Sequence, residues 1–273
     1  MVVQHNLQAA NTNRMLSGNV KAVAKATEKL SSGYQVNRAA DDAAGLSISE
    51  KMRNQIRGIN QSVKNAEDGI SLIQTAEGNM NEIHSILQRM GELATKAAND
   101  VNASEDRTAI SDEMTQLQEE INSIASKAAF NGTKLLTGSF KSKQLQVGAV
   151  AGENMKISIS KMDASGLGIG GTDKIKVSSH SAAASTMTRI TSAIKTVSAA
   201  RSKLGAIQNR LDYTVNNLKN YSENLTAAES QIRDTDMATE MTNYTKNNIL
   251  QQAAQSMLAQ ANQSTQGVLS LLG

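Results

Sequence analysis

Apolar residues recur at alternating four- and three-residue steps through most of this chain. Met52, Ile56, Ile59, Val63, Ala66, Ile70 and Ile73 hold one phase, which resumes after a shift in Ala76, Met80, Ile83, Leu87, Met90, Ala94 and Ala97. Such a 4-3 seam lines one face of a helix packed lengthwise on partner helices, so one long helix is expected here. The phase shift near Ala76 predicts a change of packing face or a local unwinding. Asn99 and Asp100 then punctuate the chain, and Asn102 with Glu105 has the spacing of a capping box. The helix it would open carries Ile110, Met114, Leu117, Ile121, Ile124 and Ala128. A third seam begins near Ser181 and runs through Met187, Ile190, Ile194, Val197, Leu204, Leu211, Val215, Leu218, Leu225 and Ile232. About 53 residues at about 1.5 Å each predict a rod about 80 Å long.

The two ends carry shorter amphipathic patterns. Leu16, Val20, Val23 and Leu30 mark an N-terminal helix, and Leu30-Ser31-Ser32-Gly33 is its stop, with Gly33 free to adopt the left-handed conformation. After Arg233-Asp234-Thr235-Asp236, a C-terminal helix carries Leu250, Ala254, Met257, Ala261, Val268 and Leu271. Lys246 is the last charged side chain, leaving 27 residues with none. A solvent-facing helix ordinarily carries charge on its outer face. Neutral amides and hydroxyls in that place favour a face covered in an oligomer over a low-charge solvent face.

Between the halves the period changes. Asn131-Gly132 is a turn signal. Leu145 and Val147, then Met155, Ile157 and Ile159, alternate with polar residues around Gly148 to Asn154, which predicts a β-hairpin. Gly166, Gly168, Gly170 and Gly171 follow and suggest a short flexible stretch. The fold expected is mainly α: a long helical rod or coiled-coil bundle with discontinuous N- and C-terminal halves and a small β-hairpin region.

Composition supports this picture and narrows the chemistry. Aromatic residues make up 2% of 273, and Pro, Cys and Trp are absent. Without Pro the commonest helix interrupter is missing, and without Cys there is no disulfide, thiolate zinc site or cysteine nucleophile. His5, His84 and His180 lie far apart, which argues against a zinc site. Asp41-Asp42 reads better as acids placed before a helix N-terminus than as a catalytic pair. No cofactor site and no enzyme active site are expected. Residues 134–203 hold eleven Lys/Arg against three Asp/Glu although the whole chain is only +3. Without interleaved aromatics this basic region lacks the stacking platforms of a nucleic-acid binder and reads as solvated surface, so no nucleic acid is expected. No stretch is apolar enough to insert into a membrane. Met1 to Asn13 lacks the basic n-region of a secretory signal, so the expected location is cytosolic unless export uses an uncleaved signal.

Several longer stretches are more specific. Residues 30–45 (LSSGYQVNRAADDAAG), residues 65–78 (NAEDGISLIQTAEG) and residues 130–136 (FNGTKLL) closely resemble the N-terminal signature of bacterial flagellins. Residues 249–262 (ILQQAAQSMLAQAN) and 268–272 (VLSLL) are similar to the flagellin C-terminus. The resemblance covers nearly all of the chain except about residues 140–180. It implies a short flagellin without large outer variable domains. The inner polymerisation domain would then combine residues 1–40 and 234–273. The helical rod domain would combine 41–180, with the hairpin, and the long helix 181–233.

The resemblance further implies self-assembly into a helical homopolymer for motility, through coupled folding of the terminal helices. Leu250, Met257, Val268 and Leu272 would carry that step, with Leu16 and Val23 opposite. Partners implied are the flagellar export apparatus, a secretion chaperone and the filament cap, and the implied location is extracellular, in the flagellum, reached without a cleaved signal peptide. Many flagellins are ligands of Toll-like receptor 5. Residues 87–93 (LQRMGEL) are similar to the recognised patch, with Arg89 as cation, Leu93 as apolar contact and Glu113 as carboxylate; Gly91 departs from the basic residue often found there. Packing between subunits is the competing role for these residues. Two other readings of the whole chain stay open: a hook–filament junction protein, and a non-flagellar coiled-coil scaffold.

Overall fold

The computed structural model describes residues 6–171 and 174–272; for 265–272 only the helical backbone is described. The fold is mainly α. Helices α1 (Leu7–Ser32), α2 (Ala43–Ala97) and α3 (Ser104–Lys127) are followed by four short strands, β1 (Ala129–Phe130), β2 (Thr133–Lys134), β3 (Lys143–Gln146) and β4 (Asn154–Ile157). Helices α4 (His180–Arg233) and α5 (Met237–Leu272) complete the chain. It divides into two compact units, residues 57–222 and residues 1–56 with 223–273.

In the unit of residues 57–222 the seams pack as a continuous apolar core. Ile59, Ile73, Ala76, Met80, Ile83, Leu87, Met90 and Ala97 of α2 are fully buried, with Met114 and Ile121 of α3 and Ile190, Val197 and Leu211 of α4. Helix α2 stays α-helical through the phase shift, so the local unwinding does not occur. Ile70, Ile73 and Ala76 are instead two three-residue steps in succession, a spacing that over-winds a seam. The shift coincides with a change of partner. Arg89 of α2 pairs with Glu113 of antiparallel α3. Counting fourteen residues from that pair along each helix, at about 1.5 Å per residue, sets the end of α3 level with about Thr75. Beyond it α2 packs on α4 and on the hairpin, where Gly69 lies under Leu145 and Leu211.

The capping box expected from Asn102 and Glu105 forms one residue later and by half. Asp106 accepts the Ala103 N–H at 3.2 Å, while the Ala103 side chain has no oxygen to return a bond. Asn102 is engaged elsewhere, donating to the Lys96 carbonyl at 2.6 Å and so closing the end of α2. His180 Nδ1 donates to the Ala98 carbonyl at 2.6 Å, which fixes the proton on that nitrogen because a carbonyl can only accept.

Strands β1 and β2 form a minimal hairpin around Asn131 (φ 47°) and Gly132 (φ 76°), both left-handed as a type I′ turn requires. β3 and β4 pair antiparallel with Leu145 opposite Met155. The glycine-rich stretch is a packed loop rather than a flexible one. Leu167 and Ile169 are buried, and their N–H groups donate to Asp163 and Ala164 carbonyls. A Cβ at Gly166 would meet the Lys161 carbonyl oxygen at 2.5 Å, and one at Gly170 the Ser165 Cα at 2.8 Å. Those glycines serve close backbone approach.

In the other unit, α1 and α5 lie antiparallel: Asn6 near one end donates to the Ala261 carbonyl, and Lys29 near the other faces Glu240. The beginning of α2 packs on the end of α4 through Ser49, which donates to Glu229 at 2.9 Å, and through Arg233, 3.0 Å from Glu50.

Candidate assembly surface

Helix α1 begins where Asn6 Oδ1 accepts the Ala9 N–H, and ends where Gly33, at φ 74°, returns its N–H to the Lys29 carbonyl. Helix α5 begins at Asp236, whose carboxylate accepts the N–H groups of Ala238 and Thr239 and the Thr239 hydroxyl. A short antiparallel bridge, Tyr34 with Asp234, ties the two connections together, and the Arg233 guanidinium stacks 4.6 Å above the Tyr34 ring. These devices fix the register of the α1–α5 pair.

The seam between the two helices is narrow. On α1 it is formed by Thr12, Leu16, Asn19, Val23, Ala26 and Leu30, and on α5 by Tyr244, Asn247, Gln251, Ala254, Leu258 and Ala261. Among the described residues of α1 and α5, only Ala26 and Ala261 are fully buried. Leu16 and Val23 therefore sit half-buried on the inner seam. Leu250 and Met257 do not oppose them. Each stands one residue before a seam position, Gln251 or Leu258, and is turned about 100° away on a helix of 3.6 residues per turn. Leu250 is 42% exposed and Met257 54%. Met237, Met241 and Ile249 share that exposure on α5, as do Leu7, Met15 and Val20 on α1. The side chains of Val268 and Leu272 lie outside the described residues. Beyond Lys246 the described part of α5 carries no charge, so Ile249, Leu250 and Met257 stand exposed among neutral side chains.

Electrostatics concentrate at the connections. The Asp41 carboxyl is held at about 2 by its bond to Lys25, 2.8 Å away, helped by the backbone N–H groups of Arg38 and Asn37. The same pair raises the Lys25 ammonium. Asp236 is lowered by the Thr239 hydroxyl and the two backbone N–H groups it caps. Asp42 accepts the Ala44 and Gly45 N–H groups at the start of α2.

The residues similar to a receptor patch lie in the other unit. Arg89 makes a forked contact to Glu113, at 2.9 and 3.2 Å, and reaches Glu92 at 3.2 Å. Glu113, then Glu92, raise the Arg89 guanidinium further above its ordinary value. Both partners of the pair are about half exposed. Leu93 is not: at 4% exposure it packs into the core, so its side chain is absent from the surface that Arg89 and Glu113 present. Its place at a three-residue step after Met90 turns it inward. Among the described residues no cluster of His, Cys, Asp or Glu is placed to hold a metal, and no helix is long and apolar enough to cross a membrane.

Comparison with known proteins gives these surfaces a context. Residues 3–141 match the bacterial flagellin N-terminal helical region, and residues 187–272 the bacterial flagellin C-terminal helical region. A flagellin of Halalkalibacterium halodurans is 52% identical over the full length of both chains, and one of Bacillus subtilis 48%. The 30.7 kDa flagellar filament core protein of Treponema maltophilum is 45% identical, again over both full lengths. The crystal structure of Bacillus cereus flagellin superposes with a TM-score of 0.51 at 30% identity, covering 61% of this chain and 94% of that one. A Vibrio parahaemolyticus structure described as flagellar hook-associated shares the fold alone, with a TM-score of 0.60 at 13% identity over 71% of this chain and all of that one. Full-length identity to flagellins separates the chain from the junction proteins and from unrelated scaffolds: it belongs to the bacterial flagellin family, the structural, non-enzymatic subunits of the extracellular flagellar filament.

Proposed function

We propose that this chain polymerises by docking the outer face of its α1–α5 pair onto copies already in the filament, and that this docking completes the folding of its terminal helices. The observation that carries the reading is the exposure of Ile249, Leu250 and Met257 on the part of α5 that carries no charge after Lys246. The inner seam is rich in Ala, Asn, Gln and Thr, so pairing α1 with α5 buries little apolar surface and stabilises the two helices weakly on its own. A neighbouring copy supplies the remaining burial, and contacts that do not close on themselves propagate a helical polymer. In this scheme residues 1–40 and 234–273 form the inner polymerisation domain, and residues 41–233 the helical rod domain. Family membership supports export of the unfolded chain, without a cleaved signal, through the flagellar export apparatus with a secretion chaperone, and placement under a filament cap.

Met257→Asp introduces a carboxylate into the proposed contact while leaving the inner seam untouched. Seeded elongation, followed by sedimentation, is expected to stop in this variant while the chain remains a soluble helical monomer. Normal polymer from Met257→Asp would refute the outer face as the contact.

A second reading, recognition by Toll-like receptor 5, is supported by the exposed Arg89–Glu113 pair. With Leu93 buried, the contact reduces to the charged pair. Arg89→Ala is expected to weaken receptor binding by about thirtyfold, the low end (about 2 kcal/mol) of truncating one side of a charge pair at an interface. Unchanged affinity would move the contact elsewhere.

A further inference from the structure

Charge on α3 and on the first part of α4 is divided with little mixing. Helix α3 carries Glu105, Asp106, Asp112, Glu113, Glu119 and Glu120 against Arg107 and the terminal Lys127. Glu105, Asp112 and Glu119 are seven residues apart, which aligns them along one exposed line at steps of about 10 Å. Glu120 stands beside that line. Helix α4 carries Arg189, Lys195, Arg201, Lys203 and Arg210 before its first acid, Asp212. Arg189, Lys203 and Arg210 fall on one heptad line, with Thr196 in the remaining slot and Lys195 next to it.

The charges that find partners within the chain are the ones off these lines. Arg201 pairs with Glu77, Glu113 with Arg89, and Asp106 caps its own helix. Glu105, Asp112, Glu119 and Glu120 are exposed, as are Arg189, Lys195, Lys203 and Arg210, and no ion pair among the described residues engages any of them. Exposed like charges at i, i+7 gain nothing from one another, so neither stripe stabilises the single chain.

Both helices begin at the same end of the unit: Arg107 donates to the Ser178 carbonyl and His180 to the Ala98 carbonyl. They therefore run parallel, and the acidic and basic lines overlap in height. We infer that the basic stripe of α4 seats against the acidic stripe of α3 on a second copy of this chain, as a lateral contact between subunits. A copy in the same orientation, displaced along the helices by about one to two heptads, roughly 10–20 Å, brings the two lines together. The contact is heterologous, with different patches on the two copies, as an open polymer requires. It rests on the assembly reading and adds to it a second, ionic face distinct from the apolar face of α1 and α5. Complementary stripes of this kind select orientation and partner and accelerate encounter more than they add affinity.

Charge reversal tests the pairing. Lys203→Glu with Arg210→Glu, and separately Asp112→Lys with Glu119→Lys, change only exposed positions. Circular dichroism of each free chain is expected to match the original. Each pair alone is expected to raise the critical concentration for seeded elongation about tenfold, and both pairs in one chain to return it to within about twofold, because the stripes are again complementary. Two defects that persist or add in the combined chain would overturn the inference, as would no change in either: the stripes would then face solvent, or, for α4, an external polyanion. If these chains all elongate normally while Met257→Asp does not, the lateral contact fails and the apolar one stands. If the unmodified chain does not elongate at all, the assembly reading itself fails.

Discussion

Gly69 and Gly91 both interrupt the inward side of α2, and their neighbours give them opposite meanings. At Gly69 the space a Cβ would fill is occupied by the Leu145 side chain of the β3–β4 hairpin. Gly69→Ala is expected to turn the Leu145 methyl aside, which offsets the helix-propensity gain and leaves this variant less stable than Gly91→Ala by up to about 1 kcal/mol. At Gly91 the nearest atom to a new Cβ is Ile190 Cγ2 at 3.8 Å, an ordinary contact. Gly91→Ala is therefore expected to stabilise the chain by up to about 1 kcal/mol through helix propensity alone. Chemical denaturation of the two variants side by side checks the difference. Equal effects would mean that the hairpin does not rest on Gly69. Leu93 makes the same point about neighbours. Sequence similarity assigns it a surface role, but its position after Met90 on the α2 seam buries it, and only its partners in space reveal that.

At the scale of elements, the connections around Gly33 and Asp236 hold the terminal pair by charge as well as by backbone bonds. Asp41 is held at about 2, below the value near 4 of an unfolded aspartate. Its ionised form therefore stabilises the fold above about pH 4, and that contribution is lost as the pH falls from about 4 to about 2. Asp236 shifts in the same direction. Thermal unfolding midpoints are expected to fall across this window, and Asp41→Asn to flatten part of the fall. An identical pH slope in the variant would remove Asp41 from the account. The exposed setting keeps the effect modest.

The helices were legible in the sequence because a 4-3 pattern sustained over many turns has few alternatives. Gly33, the break at 233–236 and the β3–β4 hairpin were legible for the same reason, each carrying its own local signal. What escaped were features decided by contact. The start of α3 moved by one residue because Asn102 found the Lys96 carbonyl. Gly166 and Gly170 proved to be points of close approach because Ile169 is drawn into the core, whereas Gly168 and Gly171 take positive φ in open space. Leu250 and Met257 shared an apolar pattern with Ala254 and Ala261, and the pattern could not say which face α1 would take.

For the molecule as a whole, the account divides the work between two kinds of surface. The terminal helices present apolar side chains that a single chain leaves in water, and the bundle of residues 57–222 presents opposite charges on α3 and α4 that it leaves unpaired. In the proposed assembly each becomes satisfied when copies meet. In that proposed contact, burial of the exposed apolar side chains would supply most of the affinity, at about 25 cal/mol per Å² removed from water, and the charges the orientation. The most direct test is a helical reconstruction by electron microscopy of polymer grown from the purified chain. The account predicts an open filament in which Met241, Ile249, Leu250 and Met257 are buried against neighbouring copies. A filament that leaves these four side chains in solvent, or closed oligomers of fixed size, would contradict it.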